Sequence, residues 1–396
     1  MLSFVEFLKT FMKTIAKHLR ITAFLLFSIS LGGCQKGEEV LTSDSSESPS
    51  EEVQEVVVYS WEEYFNPEVI AKFETETGIR VRFEYYDSLG ALAGGLQSQP
   101  DAFDVVVVDD VTLLELKDIR MVRPLDHKLL ANLGNFYARY VDQEFDPGNE
   151  YSIPYLWGTT LIAYRRDRLP DPEKSWKLLF NPDLKGRVAL MEEKEDLYAA
   201  ALMSLGLRMD SEEIEDLERA TEFLSERVAM VRPKFSALEG IKDLIATGKC
   251  DVACLYSGDA AILAEEDEGI SYFIPEEGAP IWMDNLAIAR ESKNVENAHL
   301  FLDFISRGDI AAENANFLWY ATPNKTAEPF LSDDLLADEA IYPPAEVMSR
   351  CAFHANPSLE RLEAINRGMK RIFDQARSEI VQSAPITEEE SNSDSE

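Results

Sequence analysis

The chain has 396 residues, 45% of them hydrophobic, which is enough for two domains with complete cores. Its formal net charge of -35 at pH 7 argues against a nucleic-acid partner, because such a partner requires a basic protein surface. If the partner of this protein carries charge, we expect that charge to be positive.

The N-terminal segment has the order of regions that is typical of an export signal. Basic residues precede the apolar run "ITAFLLFSIS", which is too short to span a bilayer, and small residues follow it. Residues 1–33 are therefore predicted to be a signal peptide. The motif "LGGC" resembles the lipobox of bacterial lipoproteins, which implies that Cys34 is acylated and anchors the protein to a membrane. An ordinary cleavage site that happens to precede a cysteine is the alternative.

Two segments lack the apolar residues that a folded core requires. Residues 34–55 are rich in Ser, Glu and Pro and are predicted to form a flexible tether behind the anchor. Residues 384–396 end the chain as an acidic tail, which we expect to be disordered.

Between these segments, strands and helices alternate, and this pattern predicts an α/β fold. A strand in "VVVYS" is followed by a helix from Pro67 to Thr77, which Gly78 ends, and by a strand in "IRVRFEYY". The apolar run "VVVV" at 105–108 is typical of a strand that is covered on both faces. Further elements are predicted in "YSIPYLWGTTLIAYRRD", in "GRVALM", in a helix from Leu197, in "CDVACLYS" and in "APIWMDNLAIAR". Two α/β lobes are the simplest interpretation.

The motifs of nucleotide and zinc enzymes are absent from the sequence. It contains neither a Walker phosphate loop nor an HExxH pair, and none of the four histidines has metal-ligand spacing with a cysteine. We therefore expect no cofactor and no metal. The cysteines that follow the signal region are Cys250, Cys254 and Cys351, which we expect to be buried thiols, with a bond to Cys351 left open. Cys250 and Cys254 are predicted on one strand, too far apart for a disulfide.

Aromatic and acidic residues recur together at the ends of predicted strands. In an extended segment Trp61 and Glu63 point to the same side, and so do Trp282 and Asp284 in "IWMDN". An indole beside a carboxylate suits an ammonium group, through cation–π attraction and charge-assisted hydrogen bonds. A partly buried Trp with a solvated neighbour is the alternative. Glu193 and Asp196 form a third acidic corner, for which favourable charge in the first turn of a helix is the simpler explanation.

Five segments resemble the spermidine/putrescine-binding proteins of bacterial polyamine ABC importers, which are type II periplasmic binding proteins. In family order, these segments are "YSWEEYFNPEVIAKFETETGIRV", "DPGNEYSIPYLWGTT", "NPDLKGRV", "IWMDNLAI" and "WYATPN". The resemblance implies a two-lobed α/β fold with a hinge and a ligand cleft between the lobes. Lobe 1 would comprise residues 56–157 plus 283–328, and lobe 2 residues 158–282 plus 329–383.

The resemblance also implies which residues bind the ligand. Those expected to line the cleft are Trp61, Glu63, Tyr64, Trp282, Asp284 and Tyr320, with Glu193 and Asp196 meeting amines from the other lobe. Asp109, Tyr256 and His354 occupy ligand-contact positions where the family commonly has Ser, Trp and Gln.

These observations together predict a lipid-anchored, monomeric, extracytoplasmic solute-binding protein that performs no reaction. It would capture a polyamine and deliver it to the permease and ATPase of an ABC importer. Two alternatives are open: a sensor that hands its bound ligand to a receptor, and a hydrolase that uses a carboxylate pair such as Glu63 and Asp284.

The departures from the family favour spermidine over putrescine. Asp109 would add a carboxylate to the cleft, and Val111 and Tyr256, smaller than the family residues, would leave more room. A wider and more acidic slot suits the longer ligand with the additional ammonium group. The alternative is that Asp109 only caps the helix that follows it.

Overall fold

The computed structural model of the protein describes residues 54–353 and 357–383. Its strands are β1 (Glu55–Ser60), β2 (Arg80–Tyr85), β3 (Val105–Asp109), β4 (Val122–Arg123), β5 (Ser152–Arg165), β6 (Val188–Met191), β7 (Lys234–Ser236), β8 (Val252–Tyr256), β9 (Ile270–Phe273), β10 (Pro280–Ala289) and β11 (Ala352–Phe353). Its α-helices are α1 (Pro67–Thr77), α2 (Leu89–Ser98), α3 (Asp110–Asp118), α4 (Lys194–Ser204), α5 (Ile214–Val231), α6 (Leu238–Ala246), α7 (Ser257–Glu266), α8 (Val295–Ile305), α9 (Gly308–Leu318), α10 (Asp333–Ala337), α11 (Ala345–Met348) and α12 (Leu359–Ser383).

Helix α1 has the ends that its sequence predicts. The Asn66 side chain accepts a hydrogen bond from the backbone N–H of Glu68, and Pro67 takes the first helical position, where no backbone N–H is needed. Gly78 ends the helix with a positive φ of 71°, and its N–H donates to the carbonyl of Glu74. Local chemistry alone therefore fixes both boundaries.

Within the described ranges the strands form one mixed sheet, in the main order β2-β1-β3-β10-β5-β8-β6-β7. Strand β1 is parallel to β2 and β3, whereas β10 is antiparallel to β3 and β5. Both faces of β1 are covered, since Val56 and Val58 enter one apolar cluster and Val57 and Tyr59 enter another. This two-sided cover is the physical reason for the continuous apolar runs in the sequence.

Strand β5 changes its partners part-way along its length. As far as Thr159 it pairs with β10, and from Thr160 onward it pairs with β8 and then also with β9. The ends of two other strands lie beside this change of partners. The last residue of β3, Asp109, is opposite Asp284 of β10, and the last residue of β8, Tyr256, is opposite Thr160. The register thus brings distant acidic and aromatic residues to one region.

Two local predictions are wrong. Helix α4 begins at Lys194 rather than at Leu197, and the acidic residues of its first turn favour the earlier start through their interaction with the helix dipole. Cys250 precedes β8 instead of sharing a strand with Cys254. The expectation about their state is nevertheless confirmed, because the described cysteines, Cys250, Cys254 and Cys351, are all buried and free.

Among the helices of residues 54–353 and 357–383, none has both the length and the apolar character that a membrane crossing requires. The predicted signal peptide, Cys34, almost all of the predicted tether and the acidic tail lie outside the described residues.

Candidate ligand-binding site

Asp284 of β10 is the central acidic residue of the candidate site. It is only 8% exposed, and one of its oxygens accepts a hydrogen bond from the hydroxyl of Tyr64, which is 220 positions away in the chain. Burial, together with the negative charge of Asp109, raises the pKa of Asp284 to about 7, although the Tyr64 hydrogen bond acts in the opposite direction. This carboxyl group therefore changes charge near neutral pH, and a cationic partner would stabilise its ionised form.

Tyr64 is held in place by its neighbours. Tyr155 donates a hydrogen bond of 2.9 Å to the Tyr64 carbonyl, and the two rings meet edge to face with centroids 5.8 Å apart. Burial, followed by the charge of Asp284, keeps the pKa of Tyr64 well above its usual range. The phenol thus remains a proton donor to the carboxylate.

Aromatic rings continue from Tyr64 into a connected wall. The Tyr320 ring lies 6.5 Å from the Tyr64 ring and 5.0 Å from the Trp282 ring, and Trp282 lies 5.6 Å from Tyr256. Trp282 packs closely on β5, because a Cβ at Gly158 would lie 2.4 Å from the indole. The structure therefore brings the predicted residues Tyr64, Trp282, Asp284, Tyr256 and Tyr320 together.

The prediction that Trp61 and Glu63 lie in one extended segment is wrong. Strand β1 ends at Ser60, and Glu63 has a φ of 56°, in the left-handed region, so the segment is a turn and not an extended strand. Trp61 packs against Tyr86, with ring centroids 4.4 Å apart, and is partly buried. Glu63 is exposed. Burial, followed by the charges of Glu62 and Glu63, raises the pKa of the nearby Tyr85.

Asp109 caps a helix, as one reading of the sequence expected, and it also lies close to Asp284. Its Oδ1 accepts a hydrogen bond of 2.8 Å from the backbone N–H of Thr112 and so caps helix α3. At the same time it lies opposite Asp284 in the sheet, and its charge raises the pKa of both Asp284 and Glu193. Capping therefore does not remove its charge from the site.

Glu193 and Asp196 stand at the start of helix α4, after the end of β6. Glu193 is the exposed N-cap residue, whereas Asp196 is buried in the first turn and accepts a hydrogen bond of 2.8 Å from the Thr160 hydroxyl. Partial desolvation, followed by the charges of Asp196 and Asp109, raises the pKa of Glu193. Burial, followed by the charges of Asp196 and then Glu193, keeps the pKa of Tyr256 well above its usual range. This acidic corner therefore faces the aromatic wall.

Sequence reasoning missed three residues of this region. Asp259, in the first turn of helix α7, accepts a hydrogen bond from the Tyr320 hydroxyl. Tyr86 supports Trp61 and donates a 2.8 Å hydrogen bond to the carbonyl of Val107, and Tyr155 supports Tyr64. Asp259 had a detectable signal, since it lies two positions after the segment "CDVACLYS" that was predicted as a strand. The two tyrosines had none, because each resembles an ordinary core residue.

The assembled chemistry suits a cation with apolar parts. Carboxylates supply charge-assisted hydrogen bonds, and the indole and phenol faces supply cation–π attraction and apolar contact. In the part of the chain that the structure describes, no group of three or more His, Cys, Asp or Glu side chains is arranged to hold a metal ion. The predicted ligand residue His354 lies outside the described residues.

Comparison with known proteins agrees with this geometry. A family model for bacterial extracellular solute-binding proteins matches residues 68–343. The spermidine/putrescine-binding periplasmic protein of Salmonella typhimurium is 30% identical over 294 residues, which are 74% of this chain and 84% of that protein. The putrescine-binding periplasmic protein SpuD of Pseudomonas aeruginosa is 32% identical over 337 residues, which are 80% of this chain and 90% of that protein.

A solved structure extends the comparison to the fold. The spermidine/putrescine ABC transporter substrate-binding protein PotD of Streptococcus pneumoniae superposes with a TM-score of 0.75 at 27% identity, covering 82% of this chain and 99% of that chain. The likeness confirms the predicted two-lobed α/β fold of periplasmic binding proteins. The family and these relatives are solute-binding transport proteins, which confirms the prediction of a binding protein and sets the hydrolase alternative aside. The chain therefore belongs to the family of bacterial extracellular solute-binding proteins.

Proposed function

We propose that this protein captures a polyamine outside the cytoplasm and delivers it to the permease and ATPase of an ABC importer. One observation carries the proposal: the buried carboxylate of Asp284 is connected to a wall of aromatic rings that includes Tyr64, Tyr320 and Trp282. The names of the relatives from Salmonella and Pseudomonas, which refer to spermidine and putrescine, support it.

The chemistry of a polyamine matches this inventory. Such a ligand is a chain of methylenes with ammonium groups at intervals, so it needs apolar walls between fixed negative charges. The rings would cover the methylenes and exclude water. Asp284 would hold one ammonium group, and the corner formed by Glu193 and Asp196 would hold another. Because these two acidic positions would hold ammonium groups at a fixed separation, they would give affinity and would select ligands of matching length.

The proposal extends, in a finer form, to spermidine over putrescine. Asp109 adds negative charge beside Asp284, and its hydrogen bond to Thr112 uses Oδ1 as an acceptor without neutralising the carboxylate. The site therefore carries more negative charge than two ammonium groups require, which favours a triamine because its third ammonium group adds a charge-assisted contact.

The lobes and the hinge are part of the same proposal, with lobe 1 comprising residues 56–157 plus 283–328 and lobe 2 residues 158–282 plus 329–383. The change of partners along β5, between Thr159 and Thr160, supports a boundary near residue 158. Strand β10 also changes partners, since it pairs with β11 at Ile281 and with β3 from Asp284. This change supports the second boundary, near residue 283, where the chain returns from lobe 2 to lobe 1. A ligand that contacts both lobes would favour closure about these strands.

The cellular placement completes the proposal. A signal peptide over residues 1–33 and acylation of Cys34 would hold the protein at a membrane as a lipoprotein, with the globular part on the outside of the cytoplasmic membrane. The protein would work as a monomer. Mass spectrometry of the mature N-terminus tests the anchor, since an unmodified N-terminal residue other than Cys34 would contradict it.

Calorimetric titration tests the ligand class. The purified protein is titrated with putrescine, with spermidine and with 1,4-butanediol, which has the length of putrescine without its charges. We expect heat and thermal stabilisation with the amines and neither with the diol. Absence of binding with every amine would reject the function, and equal binding of the diol would reject the role of charge.

A further inference from the structure

A partly buried ion pair, between Asp259 and Lys242, adjoins the aromatic wall. Asp259, in the first turn of α7, is only 7% exposed. One of its oxygens, Oδ2, accepts a hydrogen bond from the Tyr320 hydroxyl, and the other, Oδ1, lies 3.2 Å from Nζ of Lys242. Both oxygens of this carboxylate therefore have partners from the protein itself.

Lys242 comes from helix α6 and is fixed by two acids. Its Nζ lies 2.9 Å from an oxygen of Glu239, one helical turn earlier, in addition to its contact with Asp259. Partial burial opposes the charged form of the lysine, but the two carboxylates outweigh it and raise the pKa of Lys242. The ammonium group is therefore charged at neutral pH and neutralises Asp259.

The Tyr320 side chain connects this pair to the site. Tyr320 donates to Asp259, and its ring packs 5.0 Å from the ring of Trp282. The ring also lies against the backbone at Gly258, where a Cβ would be 2.5 Å from Cε1 of the tyrosine. The charge of Asp259 is consequently close enough to the site to act on a cationic ligand, and burial strengthens such an interaction.

We propose that Lys242 is a specificity-determining residue: by neutralising Asp259, it limits the number of ammonium groups that the site accepts. This inference rests on the proposed polyamine function. The lysine supplies the ammonium group that a longer polyamine would otherwise supply, so Asp259 serves to position Tyr320 instead of binding ligand. Amines with more positive charges are disfavoured most, because each additional ammonium group is repelled by Lys242 and cannot pair with Asp259.

Substitution of Lys242 tests this role. Affinities for putrescine, spermidine and spermine are measured by calorimetry in the parent, in Lys242→Met and in Lys242→Arg. We expect Lys242→Met to raise the ratio of spermine affinity to putrescine affinity on the order of tenfold, toward the lower end of the coupling found for close charge pairs. Lys242→Arg retains the charge and is expected to keep the parent ratio.

A matched control removes the same charge elsewhere. Lys185 is exposed and precedes β6, at the opposite end of that strand from Glu193, so Lys185→Met should leave the ratio unchanged. The double variant Lys242→Met with Asp259→Asn should return the ratio to the parent value, because the released carboxylate is then absent.

The outcomes separate this inference from the proposed function. If the parent binds amines but Lys242→Met leaves the ratio unchanged, or weakens all three amines equally, Lys242 has only a structural role and the inference is overturned. A ratio that stays high in the double variant overturns it as well, since Asp259 would not carry the effect. If the parent binds no amine, both the function and the inference are rejected.

Discussion

We expect the charge state of Asp284 to make ligand affinity depend on pH. Its pKa of about 7 in the unliganded protein means that the carboxyl group is largely protonated in mild acid. An ammonium ligand requires the ionised form, and the ligand itself stays charged because an alkyl ammonium group loses its proton only near pH 10. Binding should therefore release a proton from Asp284 below neutral pH and strengthen as the pH rises.

The magnitude follows from this pKa. At about pH 5 roughly one molecule in a hundred carries the ionised carboxylate, whereas at about pH 8 most molecules do. If binding requires that form, affinity should rise roughly a hundredfold between these two values and level off above neutrality. The raised pKa of Glu193 acts in the same direction and would add to the change.

Calorimetry measures both the affinity and the released proton. Titrations with spermidine are run at constant ionic strength from about pH 5 to about pH 8, in pairs of buffers that differ in ionisation enthalpy. Below neutrality, the difference in heat between the two buffers should correspond to the release of about one proton for each ligand bound. The matched control is Asp284→Asn, which has no group to ionise and should bind weakly with a much flatter pH dependence.

Two results would refute this reasoning. An affinity in the parent that is constant, or that falls, as the pH rises would mean that Asp284 does not have to ionise for binding. An Asp284→Asn variant with the full pH dependence of the parent would assign the proton to another group.

Four further measurements follow from the structure. Asp284→Asn at about pH 8 should weaken amine binding by about 2 to 5 kcal/mol, the range for breaking a buried charge pair, and unchanged affinity by calorimetry would place the ligand elsewhere. Gly258→Ala should cost about 1 to 3 kcal/mol of unfolding free energy and weaken binding, because its Cβ would strike the Tyr320 ring. The control for chemical denaturation is Gly90→Ala, whose Cβ meets open space, and equal effects of the two changes would contradict the close packing. Asp109→Ser should lower spermidine affinity more than putrescine affinity, and a preference for putrescine in the parent would overturn the argument from charge. Small-angle scattering should show a smaller radius of gyration with saturating ligand, and identical curves would argue against hinge closure.

Much of the local structure could be predicted from neighbouring residues. Asn66, Pro67 and Gly78 determine the ends of α1, since a cap, a missing N–H and a positive φ are properties of a few adjacent positions. The continuous valines of β3 likewise required a strand with both faces covered, and the structure covers both. Prediction failed where backbone conformation departed from the regular pattern. Glu63 adopts a left-handed φ, and the expected alternation with Trp61 does not exist.

The site was predictable only in part, because its geometry depends on contacts across the chain. The sequence and its family resemblance identified Asp284, Trp282 and Tyr64, but not the hydrogen bond that joins Tyr64 to Asp284 over 220 positions. Asp259 was overlooked, because its importance comes from Tyr320, 61 positions away, and from Lys242.

Composition and short motifs by themselves determined that this protein is acidic and α/β, and they predicted a cationic ligand, because hydrophobic period, turn chemistry and net charge are local or additive properties. Tertiary structure alone decided that Asp109 faces Asp284, that burial raises the pKa of that carboxyl to about 7, and that Lys242 neutralises Asp259. These features arise from sheet register and desolvation, which depend on the position of the whole chain in space and have no signature in any short segment.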